Sequence, residues 1–286
     1  MNTNPKSNAS TIIPLQGFRN TQIAGRKEIL FNLLEGKKKI DKPHSHDFFI
    51  IILFESAAGV HTIDSVDYPI GNRQVHVLFP GQLHTWDIES ESIGYQLMVE
   101  REFFEQFAPY FRFSFTNYQN HPVIPLSNYA FDLLRYEFEE IKNELKATAS
   151  LVNLISARAA VIASIISRQA EQSFTEFKVY QSNERLATFN MLIDQHYKKE
   201  KSVAFYADKL HISANYLNIL CRKHLKISAT RLIQQRISIE AKRLLLSTSL
   251  SVKEIAFSLG FVDQAYFSNF FKIQTGLNPT EFRRKL

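Results

Sequence analysis

Hydrophobic and polar positions recur with two different periods along this chain. From residue 26 to residue 100 the apolar runs are short and rich in Val, Ile, Phe and Tyr, as in Phe48–Phe54, Gly59–Ile63 and Gln74–Phe79. Turn-forming residues separate them, at Asp64-Ser65, Pro69-Ile70-Gly71-Asn72 and Pro80-Gly81. Many short strands in so few residues predict a small barrel or jelly roll. The aromatic-dense segment 101–118 reads as a buried helix and strand that close this barrel. From about Asn128 the period becomes helical. Phe131, Leu134, Phe138, Ile141 and Leu145 share one face of a first helix over Tyr129–Leu145. Leu154, Ile155, Ala159, Ile162 and Ile166 mark a second over Leu151–Gln172. Residues 1–25 are polar and poorly patterned, the polar stretch 171–184 reads as a linker, and everything after it reads as helical.

An internal repeat lies in the last third. Ala207, Leu210 and Ile212 match Ala256, Leu259 and Phe261 at an offset of 49, and Tyr216, Leu217 and Leu220 match Tyr266, Phe267 and Phe270 at an offset of 50. The extra residue falls in a turn, where insertion is tolerated. Each copy, at about 202–225 and 251–275, follows helix-turn-helix logic. A small alanine lets two helices approach, a leucine packs across the turn, and Gly260 supplies a permissive backbone. Ser213 and Asp263 are suited to cap the second helices, and Ser251 with Glu254 makes a capping box. Gly276 stops the last long helix, and Asn278-Pro279-Thr280-Glu281 starts another. The spacer Ser228–Ser247 keeps helical spacing over about 18 residues, or roughly 27 Å. That length holds two second helices about one DNA turn, roughly 34 Å, apart.

Charge sharpens this picture. Residues 183–286 carry 17 Lys and Arg against 8 Asp and Glu, whereas the whole chain of 286 residues has a net charge of only +6. A basic third joined to a mildly acidic remainder suits a nucleic-acid-binding module attached to something else. With one cysteine, Cys221, a disulfide framework and a zinc finger are excluded. The apolar neighbours of Cys221 predict a buried core residue. No apolar run approaches the roughly 20 residues of a membrane span, and the first residues lack a signal-peptide pattern. The expectation is a cytoplasmic protein without a membrane partner.

The residues Glu254-Ile-Ala-x-x-x-Gly-Phe-x-Asp-x-x-Tyr-Phe-Ser-x-x-Phe-Lys272, followed by Gly276-x-x-Pro279-x-x-Phe282-Arg283, resemble the signature of the AraC/XylS family of bacterial transcription regulators. The resemblance covers about 186–284. It departs in the first unit, where Lys226-Ile227-Ser228-Ala229 replaces the family's Gly-x-Ser-Pro step, which predicts a less sharp end to that unit. The N-terminal part is similar to the family's cupin-like sensor domains, through Pro43-His44-Ser45-His46-Asp47 and Pro80-Gly81-Gln82-Leu83-His84-Thr85-Trp86. The resemblance implies an α+β chain: a cupin-like β-barrel with flanking helices over 1–170, a linker at 171–184, and an all-α double helix-turn-helix domain over 185–286. It also implies double-stranded DNA and RNA polymerase as partners, a small-molecule effector in the barrel, and a homodimer formed through the helices of 129–170. Leu154 and Ile162 are the expected seam.

His44, His46, His84 and Trp86 are the candidate effector-pocket residues. Metal-binding cupins add a carboxylate four or five residues after the His-x-His pair, and here Ile50 and Ile51 stand in that place. The reading therefore assigns no metal, no cofactor and no enzymatic activity. The competing readings are a barrel that binds no ligand and only dimerises, and a metal-dependent cupin enzyme. On the second helices, Leu217, Leu220 and Cys221 and then Phe267, Phe270 and Phe271 face inward. Outward lie Asn215, Asn218, Ile219, Gln264, Ser268 and Asn269, the candidate base readers. Asn and Gln pair with adenine, and Ile can touch a thymine methyl. Arg222, Lys223, Lys253, Lys272, Arg283 and Arg284 are the candidate phosphate contacts, which orient the protein without specifying sequence.

Overall fold

The computed structural model describes residues 11–21, 24–113, 115–248 and 250–284. They form two compact units, one of residues 13–191 and one built on residues 192–286. The polar segment 1–10 lies outside the described residues. The strands are β1 (Thr11–Ile13), β2 (Ala24–Gly25), β3 (Ile29–Glu35), β4 (Lys38–His46), β5 (Phe49–Ser56), β6 (Gly59–Ile63), β7 (Val66–Ile70), β8 (Gln74–Leu78), β9 (His84–Ile88), β10 (Ile93–Val99) and β11 (Val123–Pro125). They make a five-stranded sheet in the order β1-β4-β9-β6-β7 and a six-stranded sheet in the order β11-β8-β5-β10-β3-β2.

β5 shows why its sequence is a continuous apolar run. It lies inside the larger sheet, paired antiparallel with β10 and β8. Ile50, Ile52 and Phe54 join the barrel core with Leu34, Ile63, Trp86, Ile88 and Met98. Phe49, on the alternate face, stacks on Phe104 with ring centres 3.6 Å apart. A strand buried on both sides keeps no polar alternation. The β6–β7 hairpin turns on Asp64 and Ser65, both left-handed at φ 50° and 69°, the two-residue geometry that matches strand twist.

The helices of the N-terminal unit are α1 (Arg101–Phe107), α2 (Phe115–Asn120), α3 (Asn128–Lys146), α4 (Val152–Ser173) and α5 (Thr175–Ser182), followed by α6 (Glu184–His196), within which the two units divide. Segment 101–118 holds two helices and a 3-10 turn rather than a helix and a strand, so its phenylalanines pack at helical spacing. The presumed linker 171–184 is also helical. In α5, Phe177 and Tyr180 are buried three residues apart, and both meet the Phe113 ring. This two-residue apolar stripe is hidden in a polar composition. In α4, Ile162 is fully buried within the unit, so it forms no seam. Leu154 and Val161 are exposed, on a stripe that continues through Ala157, Ser164 and Arg168.

The C-terminal unit continues with α7 (Val203–Lys209), α8 (Ala214–Leu225), α9 (Ala229–Ser247), α10 (Val252–Ser258), α11 (Gln264–Thr275) and α12 (Pro279–Arg284). Ser213 and Asp263 cap α8 and α11 through the backbone N–H of Tyr216 and Tyr266. Ser251 and Glu254 form the capping box of α10. Asn278 and Glu281 exchange the same reciprocal bonds at α12, at 2.8 and 2.9 Å. Lys226 adopts the left-handed conformation at the end of α8, φ 61°, that Gly276 adopts at the end of α11, φ 80°. Ser228 then caps α9. The first unit thus ends as sharply as the second, by straining a lysine where the second uses a glycine. No helix of the described residues is long and apolar enough to cross a membrane.

Candidate functional site

In the C-terminal unit, the two second helices bury the expected faces. Leu217, Leu220 and Cys221 of α8 and Phe267 and Phe271 of α11 are buried, with Phe270 half-buried. Burial pushes the Cys221 thiol up to about 12, so it stays protonated and inert. Outward, Asn215, Ile219, Gln264 and Asn269 are exposed and Ser268 is half-buried. Arg222, Lys223, Lys253, Lys272 and Arg284 are exposed as well.

Two candidates have other work. The Asn218 amide oxygen accepts the Ala229 N–H at 3.1 Å, and its nitrogen donates to the Ala214 carbonyl at 3.3 Å. Asn218 thereby ties α8 to the start of α9, and its amide is not free for a bidentate base pair in this conformation. Arg283 donates from Nε to the Leu245 carbonyl at 3.1 Å and from its terminal nitrogen to the Leu250 carbonyl at 2.6 Å. It closes the C-terminal end of α9, where orphan carbonyls need donors, rather than extending to a phosphate. Exposed Tyr216, Val262 and Tyr266 were not singled out as surface residues by the sequence. The equivalence of the two tyrosines at an offset of 50 was the available signal.

The frame behind these helices is polar and buried. The Arg236 guanidinium of α9 bonds Asp194 at 2.6 Å, approaches Glu240 at 3.6 Å and stacks over Tyr197 at 4.0 Å. The Lys201 ammonium donates to the carbonyls of Leu259 and Gly260 at 2.8 and 2.9 Å and to that of Lys198 at 3.2 Å. Lys201 directly precedes the first helix-turn-helix and grips the turn of the second, and its burial lowers its pKa. Arg231 of α9 also reaches Gln274 of α11.

In the N-terminal unit, all four pocket candidates line one cavity of about 330 Å³, together with Asn32, Ile40, Gln96 and Met98 among others. The pairing of β4 with β9 sets His44 opposite His84 and Ile40 opposite Trp86. Two histidines that the sequence reading passed over, His61 of β6 and His76 of β8, are buried beside them. Each alternates with inward Ile63 or Leu78, and a polar residue on an apolar strand face was the signal.

Four of these rings form one hydrogen-bonded row. His46 Nδ1 faces the Ile13 carbonyl at 3.3 Å, and His46 Nε2 meets His84 Nε2 at 2.9 Å. His84 Nδ1 meets His61 Nε2 at 3.0 Å, and His61 Nδ1 meets His76 Nδ1 at 2.9 Å. His76 Nε2 ends the row at Gln74 Oε1, 3.3 Å away. Burial is the main cause that lowers every pKa in the row, with neighbouring imidazoles adding to it, and it brings His46 and His61 to about 3. The nitrogens of His44, His46 and His84 come within 4.8 Å of one another, and no carboxylate joins that group. The 2.9 Å between His46 and His84 is a hydrogen-bond distance. Two ligands of one tetrahedral zinc would stand ~3.3 Å apart. The four rings stand here as a hydrogen-bonded row.

Residues 206–285 match the family described as "Helix-turn-helix domain". The HTH-type transcriptional activator RhaS of Escherichia fergusonii is 21% identical over 248 residues, covering 84% of this chain and 87% of the relative. The HTH-type transcriptional regulator YijO of Escherichia coli is 36% identical over 93 residues, covering 32% of this chain and 33% of the relative. The Msm operon regulatory protein of Streptococcus mutans is 31% identical over 144 residues, 50% of this chain and 49% of the relative. These relatives are regulators rather than enzymes. With two capped helix-turn-helix units on a basic C-terminal unit, the chain is a DNA-binding transcriptional regulator whose helix-turn-helix domain is of the AraC type.

Proposed function

We propose that this regulator is controlled by a small molecule held in the barrel of its N-terminal domain, within residues 1–170, and reads DNA with the outward faces of α8 and α11 in residues 185–286. The observation that carries the effector reading is the 330 Å³ cavity beside the histidine row, which collects His44, His46, His84 and Trp86. Its size falls in the range of small-molecule sites, and apolar Phe18, Leu34, Ile50 and Met98 share its walls with the polar Asn32, Gln96 and the three histidines. Among the candidate readers, Asn215, Ile219, Gln264, Ser268 and Asn269 act at base edges, and Arg222, Lys223, Lys253, Lys272 and Arg284 at phosphates.

The protein works in the cytoplasm as a homodimer that engages RNA polymerase. The exposed stripe Leu154, Ala157, Val161, Ser164, Arg168 of α4 supports the dimer reading, because its alternating spacing of three and four residues is that of a helix-pairing seam. The reading faces hold no arginine or lysine at their centres, so the directly read positions lean to A·T. Selection of bound sequences from a random pool, with the full chain, tests this. Two A·T-leaning blocks about one helical turn apart are expected. G·C-rich consensus blocks would overturn the assignment of the reading faces.

A further inference from the structure

The histidine row is one proton short. It has five links, from the Ile13 carbonyl through His46, His84, His61 and His76 to Gln74 Oε1. Each link needs one hydrogen. The Ile13 carbonyl can only accept. The Gln74 oxygen is fixed as an acceptor, because it also takes the Gly71 N–H at 2.9 Å. Four neutral imidazoles carry four hydrogens. Whichever tautomers are chosen, one link sets two lone pairs against each other. A single added proton, shared along the row, completes all five.

The end of the row that lines the cavity, His46 and His84, stands among further donors. Trp86 lines the same cavity, is 8% exposed, and its buried Nε1 has no hydrogen-bond partner among the described residues. Gln96, 5% exposed, receives the Asn32 amide on its oxygen, which leaves its NH2 group as a donor. Lys38 lines the rim and enters no ion pair among the described residues, whereas Lys39 is held by Asp41 and Asp87 at 3.1 and 3.7 Å. Among the described residues, no Asp or Glu lines the cavity. The remaining ionisable neighbours are His44, whose Nδ1 faces the Lys42 carbonyl, and Tyr68, which pairs with His61 across β6 and β7, packs on the same core and feels Asp64. Only burial and other imidazoles lower the pKa of the row's rings, and no carboxylate acts on them. The missing charge therefore has to arrive with the ligand.

We infer that the cavity takes a small organic carboxylate, and that the histidine row takes up one proton from solvent as the carboxylate binds. This rests on the effector reading above and names its ligand class. The carboxylate accepts hydrogen bonds from Trp86 N–H and the Gln96 amide and is held by the positive charge of the row, while the extra proton fills the fifth link. No covalent bond changes: one proton leaves water for an imidazole nitrogen, and the bound pair is neutral.

Trp86 is the chain's single tryptophan, so its fluorescence reports on the cavity directly. The full-length protein is titrated at pH 6, 7 and 8 with three matched pairs: glucuronate and glucose, isobutyrate and isobutyramide, cyclohexanecarboxylate and its amide. The expected result is a saturable Trp86 response to the carboxylate of at least one pair and none to its neutral partner. The apparent Kd should rise about tenfold per pH unit, the slope of one proton taken up. His76→Gln provides the second readout. It lies at the far end of the row, and a glutamine amide there can donate to His61, so three neutral rings then satisfy every link. Carboxylate binding should persist in this variant with its pH slope flattened. A response to neutral members alone would leave the effector reading standing and overturn the carboxylate. A carboxylate Kd unchanged from pH 6 to 8 would overturn the proton uptake, and micromolar zinc displacing the carboxylate response would replace the row by a metal site. Silence from all six compounds would overturn both the inference and the effector reading.

Discussion

Alanine at Gly260 and at Gly276 should have very different costs, although both glycines are left-handed turn residues that follow helices of a helix-turn-helix unit. Gly276 sits at φ 80°, and a Cβ placed there meets nothing within 4 Å. Gly276→Ala therefore carries the left-handed penalty of about 1–2 kcal/mol and little else. Gly260 sits at φ 71°, and a Cβ there falls 2.0 Å from the Lys198 carbonyl oxygen and 2.9 Å from the Lys201 ammonium. The clash is with backbone, so the turn itself must move. That movement breaks the Lys201 bonds to the Leu259 and Gly260 carbonyls at 2.8 and 2.9 Å. A hydrogen bond to a charged group contributes about 1.5–3 kcal/mol, so Gly260→Ala should cost at least ~3 kcal/mol in all. The assay is urea unfolding of the 183–286 fragment, reading the midpoint at unchanged slope. DNA affinity should fall further for Gly260→Ala, because Lys201 joins the entry of the first unit to the turn of the second. Equal destabilisation by the two alanines would refute the reasoning, since only the packing around the turns distinguishes them.

Asn269→Ala should relax specificity at one base position by roughly 1–3 kcal/mol in selection from a random pool. Asn218→Ala should instead leave the consensus unchanged and lower stability by about 1 kcal/mol, the loss of its bond to the Ala229 N–H. Lys272→Ala should weaken all sequences alike and reduce the salt dependence of binding, as read from affinities at several salt concentrations. Val161→Glu, on the exposed face of α4, should weaken self-association in sedimentation without unfolding the protein. Ile162→Glu should unfold it, because that side chain is fully buried.

The sequence made the helices and their ends legible because their causes are local. A cap acts within three residues, so Ser213, Ser251, Asp263 and Asn278 marked helix starts that the structure keeps. Strands β5, β6 and β8 were legible for a similar reason, as apolar runs bounded by turn residues. What failed needed knowledge of partners across the fold. Segment 101–118 was half misread, because its phenylalanines pack on β5 and on one another, and an aromatic run fits helix or strand equally. The helix α5 escaped because its two buried rings, Phe177 and Tyr180, are matched by Phe113 some sixty residues earlier.

The candidate sites divide along the same line. A helical wheel says which way a side chain leaves the axis, but not what it meets there. Asn215 and Asn218 leave α8 on neighbouring outward directions, yet Asn218 bends back to the next helix while Asn215 stays exposed. Arg283 and Arg284 adjoin in sequence, and only Arg283 is spent on the carbonyls of α9 and of the loop after it. In the barrel, the His-x-His pair and Trp86 were visible, but the row they complete was not. His61 and His76 come from strands of different sheets, and their meeting depends on both sheets closing over one core. A buried polar group is tolerated only when its hydrogen bonds are met. Four buried imidazoles that meet all but one of theirs are therefore an arrangement with a stated deficit, and that deficit ties the barrel's protonation to whatever occupies the cavity beside it.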